Sequence, residues 1–163
     1  MGETAPPQAA NQRTFLVVLD ETEEMHVALR FACRRAMHTG GRVALLYVLE
    51  PNDFQAWMGV GNLIRQEARG EAEKLLQRHA GEAYDLSGSI AVLHLREGGP
   101  RDAVLELMEE DPNISILVLA ASTGQGGPGP LVSNLTGKMM NKLCVPVTVV
   151  PGNLGDEDVD AIA

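Results

Sequence analysis

Two stretches of this sequence carry residue types and spacings that could do chemistry. The first is Asp20-Glu21-Thr22, three polar residues that follow the apolar run beginning at Thr14. The second is Ser122-Thr-Gly-Gln-Gly-Gly-Pro-Gly-Pro130, followed by Leu131, Val132, Ser133 and Asn134. Its glycines at 124, 126, 127 and 129 let backbone N–H groups approach an anion. Ser133 and Asn134 are good caps for a helix whose dipole favours negative charge. Thr136 and Lys138 could add a hydroxyl and a cation. Together these are the parts of a phosphate cradle. They equally describe a rigid Gly-Pro turn with Ser133 capping a helix, and spacing alone leaves both open.

Several other chemistries are excluded. The only Gly-Lys pair, Gly137-Lys138, has Val132 where a P-loop needs its first glycine. A dinucleotide fingerprint would place glycines after the first strand, where Asp20-Glu-Thr-Glu-Glu24 stands. A receiver-type phosphoacceptor needs a lysine after the fifth strand, but Val150-Pro151-Gly152 follows it. No Cys, His and acid grouping has metal-ligand spacing in the sequence. His26, His38, His79 and His94 are scattered and read as helix-face or strand residues. Cys33 and Cys144 read as small buried hydrophobes. No general base or metal-binding acid pair is positioned for hydrolysis, so no enzymatic activity is expected.

The elements that must position these residues follow from hydrophobic periodicity. Apolar runs predict strands over 14–20, 42–50, 89–96, 114–121 and 145–150, the first of the form covered on both faces and the fourth the most clearly buried. Between them, helical spacing predicts helices over 21–39, with Gly40-Gly41 at its end, and over 62–80, ending at Gly81. A third helix opens at Pro100, with Val104, Leu107 and Met108 facing inward, and a last one spans 134–143. Strands alternating with amphipathic helices call for a parallel sheet with helices on both faces and right-handed crossovers. Pro146 cannot donate to a ladder, which places it on an edge strand or near a strand start. Residues 51–61, with Trp57 and Met58, show no period and read as a surface connection.

Composition narrows the class. Apolar residues make up 45% of the 163 and aromatic residues 4%, so Leu, Val, Ile and Ala build the core. Thirteen basic residues against 22 acidic ones give a net charge of −9, which argues against nucleic-acid and anionic-membrane partners. Five of those acids lie at the ends: Glu3, Asp156, Glu157, Asp158 and Asp160. No stretch approaches the roughly 20 apolar residues of a spanning helix, and no signal peptide is visible. The reading is one cytoplasmic domain over 14–151, a disordered segment over 1–13, and a solvated acidic tail over 152–163.

At this point the chain resembles the universal stress protein family. The resemblance rests on Val17-Val-Leu-Asp20, Leu45-Leu-Tyr-Val-Leu-Glu-Pro51, Gly98-Gly-Pro100 and the closing Val145-Pro-Val-Thr-Val-Val-Pro151. It implies an α/β fold, Rossmann-like (adenine nucleotide alpha hydrolase-like), with a five-stranded parallel sheet in the order 3-2-1-4-5. In ATP-binding members it implies that Asp20 contacts the adenine and ribose end and that Val18, Leu19 and Val48 line the adenine pocket. The family's phosphate motif falls on Ala121, Gly124, Ser133 and Asn134, with Leu135 and Thr136 following. Ala121 and Ser133 stand where the motif has glycines, and Asn134 replaces its hydroxyl residue. The implied ligand is ATP or a related adenine nucleotide, with Mg as companion ion. The implied partner is a second copy paired along strand 145–150. The competing expectation is a dimeric interaction protein of the same fold that binds no nucleotide.

Overall fold

Thr14–Leu19 forms the central strand, β1, and all six of its residues are buried. In the computed structural model, which describes residues 12–51 and 61–163, the order continues α1 (Met25–Thr39), β2 (Arg42–Leu49), α2 (Gly61–Ser87), β3 (Val92–Glu97), α3 (Pro100–Glu110), β4 (Ile114–Ala121), α4 (Pro130–Thr136), a single 3-10 turn (Met140–Lys142), β5 (Val147–Pro151) and α5 (Asp156–Ile162). The five strands form one sheet in the order β3-β2-β1-β4-β5, as expected. Every pairing is parallel, with Leu19 opposite Tyr47 and Val17 opposite Val118. β5 lies at an edge, and Pro146 stands just before its first residue, so its missing N–H breaks no ladder bond within the strand.

The two-residue period of β1 divides the core. Phe15, Val17 and Leu19 pack with Leu29, Ala32, Cys33 and Ala36 of α1 and with Leu76 and Ala83 of α2. Leu16 and Val18 face the opposite layer, built from Val104, Leu107 and Met108 of α3 and Val132 and Leu135 of α4. Each such leucine contributes about 1.5–3 kcal/mol by leaving water. α1 ends where expected, at Gly40, whose φ of 67° is the left-handed conformation that glycine adopts without penalty.

Several expected boundaries move, each for a local reason. α1 begins at Met25 because Asp20 and Thr22 tie residues 20–22 into a turn of their own. α2 runs through Gly81 to Ser87. An internal glycine costs about 1 kcal/mol, and the fully buried Ala83 beyond it offsets that cost. The helix stops instead at Gly88, with φ of 75°, and β3 starts at Val92. β5 starts at Val147, two residues late, because Pro146 has no N–H, although its carbonyl still accepts the Leu117 N–H at 2.9 Å. The last helix is displaced from 134–143 to 130–136, since Pro130 takes the first-turn position that suits its fixed φ.

The acidic tail is corrected most. Residues 156–162 form a helix docked on α1 rather than a solvated strand of charge. Val159 is buried, and Arg30 grips Asp160 through two bonds of 2.8 Å while Arg34 adds a third at 3.1 Å. The His38 ring and the Ala163 carbonyl meet at 3.0 Å. Asp156, Glu157 and Asp158 occupy the first turn, where the helix dipole favours them. Residues 1–11, most of the segment expected to be disordered, and the connection around Trp57 and Met58 lie outside the described residues. Cys33 is buried as expected, but Cys144 is exposed. It lies between the 3-10 turn and β5, where the chain has not yet entered the sheet. Among the described residues no helix is long and apolar enough to cross a membrane.

Candidate functional site

The crossover from β1 leads through α1 to β2 on one side, and the crossover ending at β4 returns on the other. Loops leaving the carboxyl ends of these two neighbours therefore diverge and open a crevice. A cavity of ≈ 680 Å³ occupies it, a size usual for a small-molecule site, which spans about 300–1,000 Å³. Val18, Leu19, Val48, Val118 and Leu119 make its apolar floor, with Ala68, Ala72 and Leu75 of α2 closing one side and Pro128–Val132 the other. Asp20, Glu21, Glu24, Glu50 and Glu71 bring five carboxylates to its walls. Among the described residues no lysine, arginine or histidine lines it.

Asp20 is held in place. Its Oδ1 accepts the Thr22 N–H at 2.9 Å and the Thr22 hydroxyl at 2.5 Å. Glu97, the acid at the end of β3, is engaged elsewhere: Arg65 donates to both of its oxygens and Arg69 reaches it at 3.5 Å.

The sequence-predicted residues divide into two sets. Val18, Leu19, Asp20 and Val48 are brought together on the cavity wall. Ala121, Gly124, Ser133, Asn134, Leu135 and Thr136 are not among its lining residues. The carbonyl of Ala121 accepts the Gly152 N–H at 2.8 Å, and Gly124 bonds back to the Ser122 hydroxyl at 3.4 Å. Because α4 starts at Pro130, Ser133 and Asn134 sit inside the helix and do not cap it. Ser133 N–H already donates to the Gly129 carbonyl at 3.0 Å. Leu135 is fully buried in the core, and the Thr136 hydroxyl donates back to the Val132 carbonyl at 2.7 Å.

The glycine segment meets the cavity earlier in its course, at Pro128–Val132. Its loop closes on itself through the Ser122 N–H and the Pro128 carbonyl at 3.1 Å, and Gly129 turns into the helix with φ of 102°. Sequence reasoning missed the wall supplied by Ala68, Glu71, Ala72 and Leu75. The helical period of 62–80, which puts Ala68, Ala72 and Leu75 on one face, was the available signal.

A sequence model of the universal stress protein family matches residues 12–151, which include every strand and the whole crevice. The chain belongs to the universal stress protein family. Among curated proteins none matches it. Solved structures share its fold at low identity. Universal stress protein UspA from Lactobacillus plantarum is 16% identical with a TM-score of 0.68, the match covering 86% of this chain and 99% of that one. A universal stress protein in complex with cAMP is 16% identical with a TM-score of 0.60, covering 87% and 98%. A universal stress protein family protein from Arabidopsis thaliana with AMP bound is 15% identical with a TM-score of 0.59, covering 89% and 94%.

In this universal stress protein the crevice fits an adenine nucleotide unevenly. The apolar floor suits a purine ring, and Asp20 at its rim is an acceptor for sugar hydroxyls. For phosphates the walls offer the backbone N–H groups of Gly129, Leu131 and Val132 and, among the described residues, no cationic side chain. Carboxylates at the mouth are the hard oxygen donors that magnesium takes.

Proposed function

We propose that this universal stress protein binds an adenine nucleotide in the β1–β4 crevice and acts as a sensor of it. The observation that carries this reading is the convergence of Val18, Leu19, Asp20 and Val48 on one cavity of nucleotide size. The AMP and cAMP held by two structural neighbours support it. The base lies on the apolar floor, Asp20 takes the ribose end, and phosphates lie toward Gly129. With five acids on the wall, each added phosphate raises the repulsion, so the triphosphate enters with magnesium and the monophosphate does so without. Occupancy is reported through a dimer paired along the exposed edge of β5, and the protein works in the cytoplasm.

The acidic wall also favours a second reading, in which the same fold recognises a partner without nucleotide. Calorimetric titration with AMP, cAMP and ATP, the last with and without magnesium, decides between them. Binding of AMP, and of ATP only with magnesium, supports the sensor. No heat and no thermal stabilisation at millimolar ligand leaves the interaction protein.

A further inference from the structure

The four histidines look scattered in the sequence, yet the packing of α1 on α2 brings two of them to one carboxylate. His26 stands in the first turn of α1, and its Nδ1 lies 3.4 Å from Oε1 of Glu82. His79, one turn before Glu82 on α2, places its Nδ1 3.0 Å from Oε2 of the same carboxylate. The two rings are 5.6 Å apart, and the three groups offer ligand atoms that all lie within 4.8 Å of one another.

We propose that His26, His79 and Glu82 form a binding site for a divalent transition metal of the zinc class. Zinc takes nitrogen and oxygen ligands at about 2.0–2.1 Å in a tetrahedron, which sets neighbouring ligand atoms about 3.3 Å apart. The separations from Glu82, 3.4 Å to one carboxylate oxygen and 3.0 Å to the other, bracket that edge, and with all ligand atoms within 4.8 Å an ion draws the three groups together by side-chain rotation. Two imidazoles with one carboxylate select zinc over magnesium or calcium, which prefer oxygen alone. The set is partly preorganised, because His79 is 3% exposed and its ring is fixed by the helix interface, whereas His26 is exposed and gives the ion a way in.

Three protein ligands leave a fourth position vacant. It opens on a second cavity of ≈ 240 Å³, lined by Asp20, Glu21, Arg78 and both histidines. Asp20, Glu21 and Glu82 outweigh Arg78, so the local field favours a cation. An imidazole that ligates through Nδ1 keeps its single proton on Nε2, so in each ring the Nδ1 contact with Glu82 gives way to the metal and the carboxylate coordinates through its own oxygen.

The test uses the full chain stripped with a chelator and titrated with Zn²⁺ by calorimetry and with Co²⁺ by visible absorption. One ion per chain and the intense spectrum of four-coordinate cobalt are expected. Loss of one of three ligands removes at least the tenfold or more in affinity that even an outer-sphere partner typically supplies, about 10–100-fold. His26→Ala and Glu82→Gln, which spare the buried ring of His79, each show that loss, whereas His38→Ala binds as the wild type does. Absence of binding at micromolar metal, or unchanged affinity and spectrum in both His26→Ala and Glu82→Gln, overturns the proposal.

Discussion

Asp20 and Thr22 are joined twice through one oxygen: Oδ1 of Asp20 accepts both the backbone N–H and the hydroxyl of Thr22. This pairing turns the chain out of β1 before α1 begins, and it leaves Oδ2 without a partner among the described residues, at the rim of the cavity. Asp20→Ala therefore removes a ligand contact as well as a turn. A hydrogen bond involving a charged group is worth about 1.5–3 kcal/mol, and about 1.4 kcal/mol is tenfold in affinity. Adenine nucleotide affinity falls at least about tenfold in calorimetry, while Thr22→Val, which keeps the backbone bond, loses less.

Gly129 and Gly124 should respond differently to a methyl group. Gly129 has φ of 102°, a conformation that costs an L-residue about 1–3 kcal/mol. At Gly124 an added Cβ meets only the Ser122 hydroxyl, at an ordinary 3.7 Å. Denaturant titration is expected to show Gly129→Ala destabilised by that amount and Gly124→Ala close to wild type. Nucleotide binding follows the same order, contrary to what a motif assignment to Gly124 implies.

Two acid-sensitive windows are separable. Burial, then the nearby Arg96, hold the His94 imidazolium below its usual range. The unfolded chain thus binds that proton more readily, and stability declines as pH falls below about 6.5. Asp160, held down to about 2 chiefly by its bond from Arg30, contributes stability above the ordinary carboxylate range that is lost as pH drops from about 3.8 toward 2. Melting temperatures across pH should lose the upper component in His94→Leu and the lower one in Asp160→Asn. An unchanged profile in His94→Leu would refute the first assignment.

Detachment of α5 should be visible apart from global unfolding. In Asp160→Asn Arg34 loses its carboxylate and Arg30 keeps only Asp156, at 3.3 Å, so amide hydrogen exchange across 156–162 accelerates while that of β1 stays slow. Equal acceleration in both would mean that the helix is integral to the core and does not open locally.

The two thiols differ in reactivity. Cys33 is fully buried, and its pKa is pushed up to about 12, first by burial and then by the charge of Glu82. Alkylation of the native protein at mildly alkaline pH is expected to modify Cys144 alone, and both cysteines once the chain is unfolded. Modification of Cys33 at a comparable rate would contradict its burial.

The sheet was legible because its signal is local: the apolar runs ending in Asp20 and Glu50 mark buried strands and the end at which ligands collect, and the weaker run before Glu97, broken by His94 and Arg96, marks the half-buried edge strand. The apolar half of the site was legible for the same reason. What escaped was decided by a competing signal nearby or between distant segments. Ser133 looks like a cap until Pro130 claims the first turn. The acids at 156–160 look like solvated charge until Arg30 and Arg34, one helical turn apart on α1, are seen to face them. His26 and His79 are 53 positions apart, and only the packing of two helices makes them neighbours.

The brackets around β5 limit what can be added to it. The Pro146 carbonyl faces β4, where it accepts the Leu117 N–H, so the donor it lacks lies on the inner side; on the outer border the alternating positions are Val147, Val149 and Pro151, and the last has no N–H to offer. A strand arriving at that outer border has a short stretch in which to register and nothing by which to extend. The bare side of the sheet thus presents a newcomer with only two outward donors before the proline ring, a small template for edge-to-edge growth.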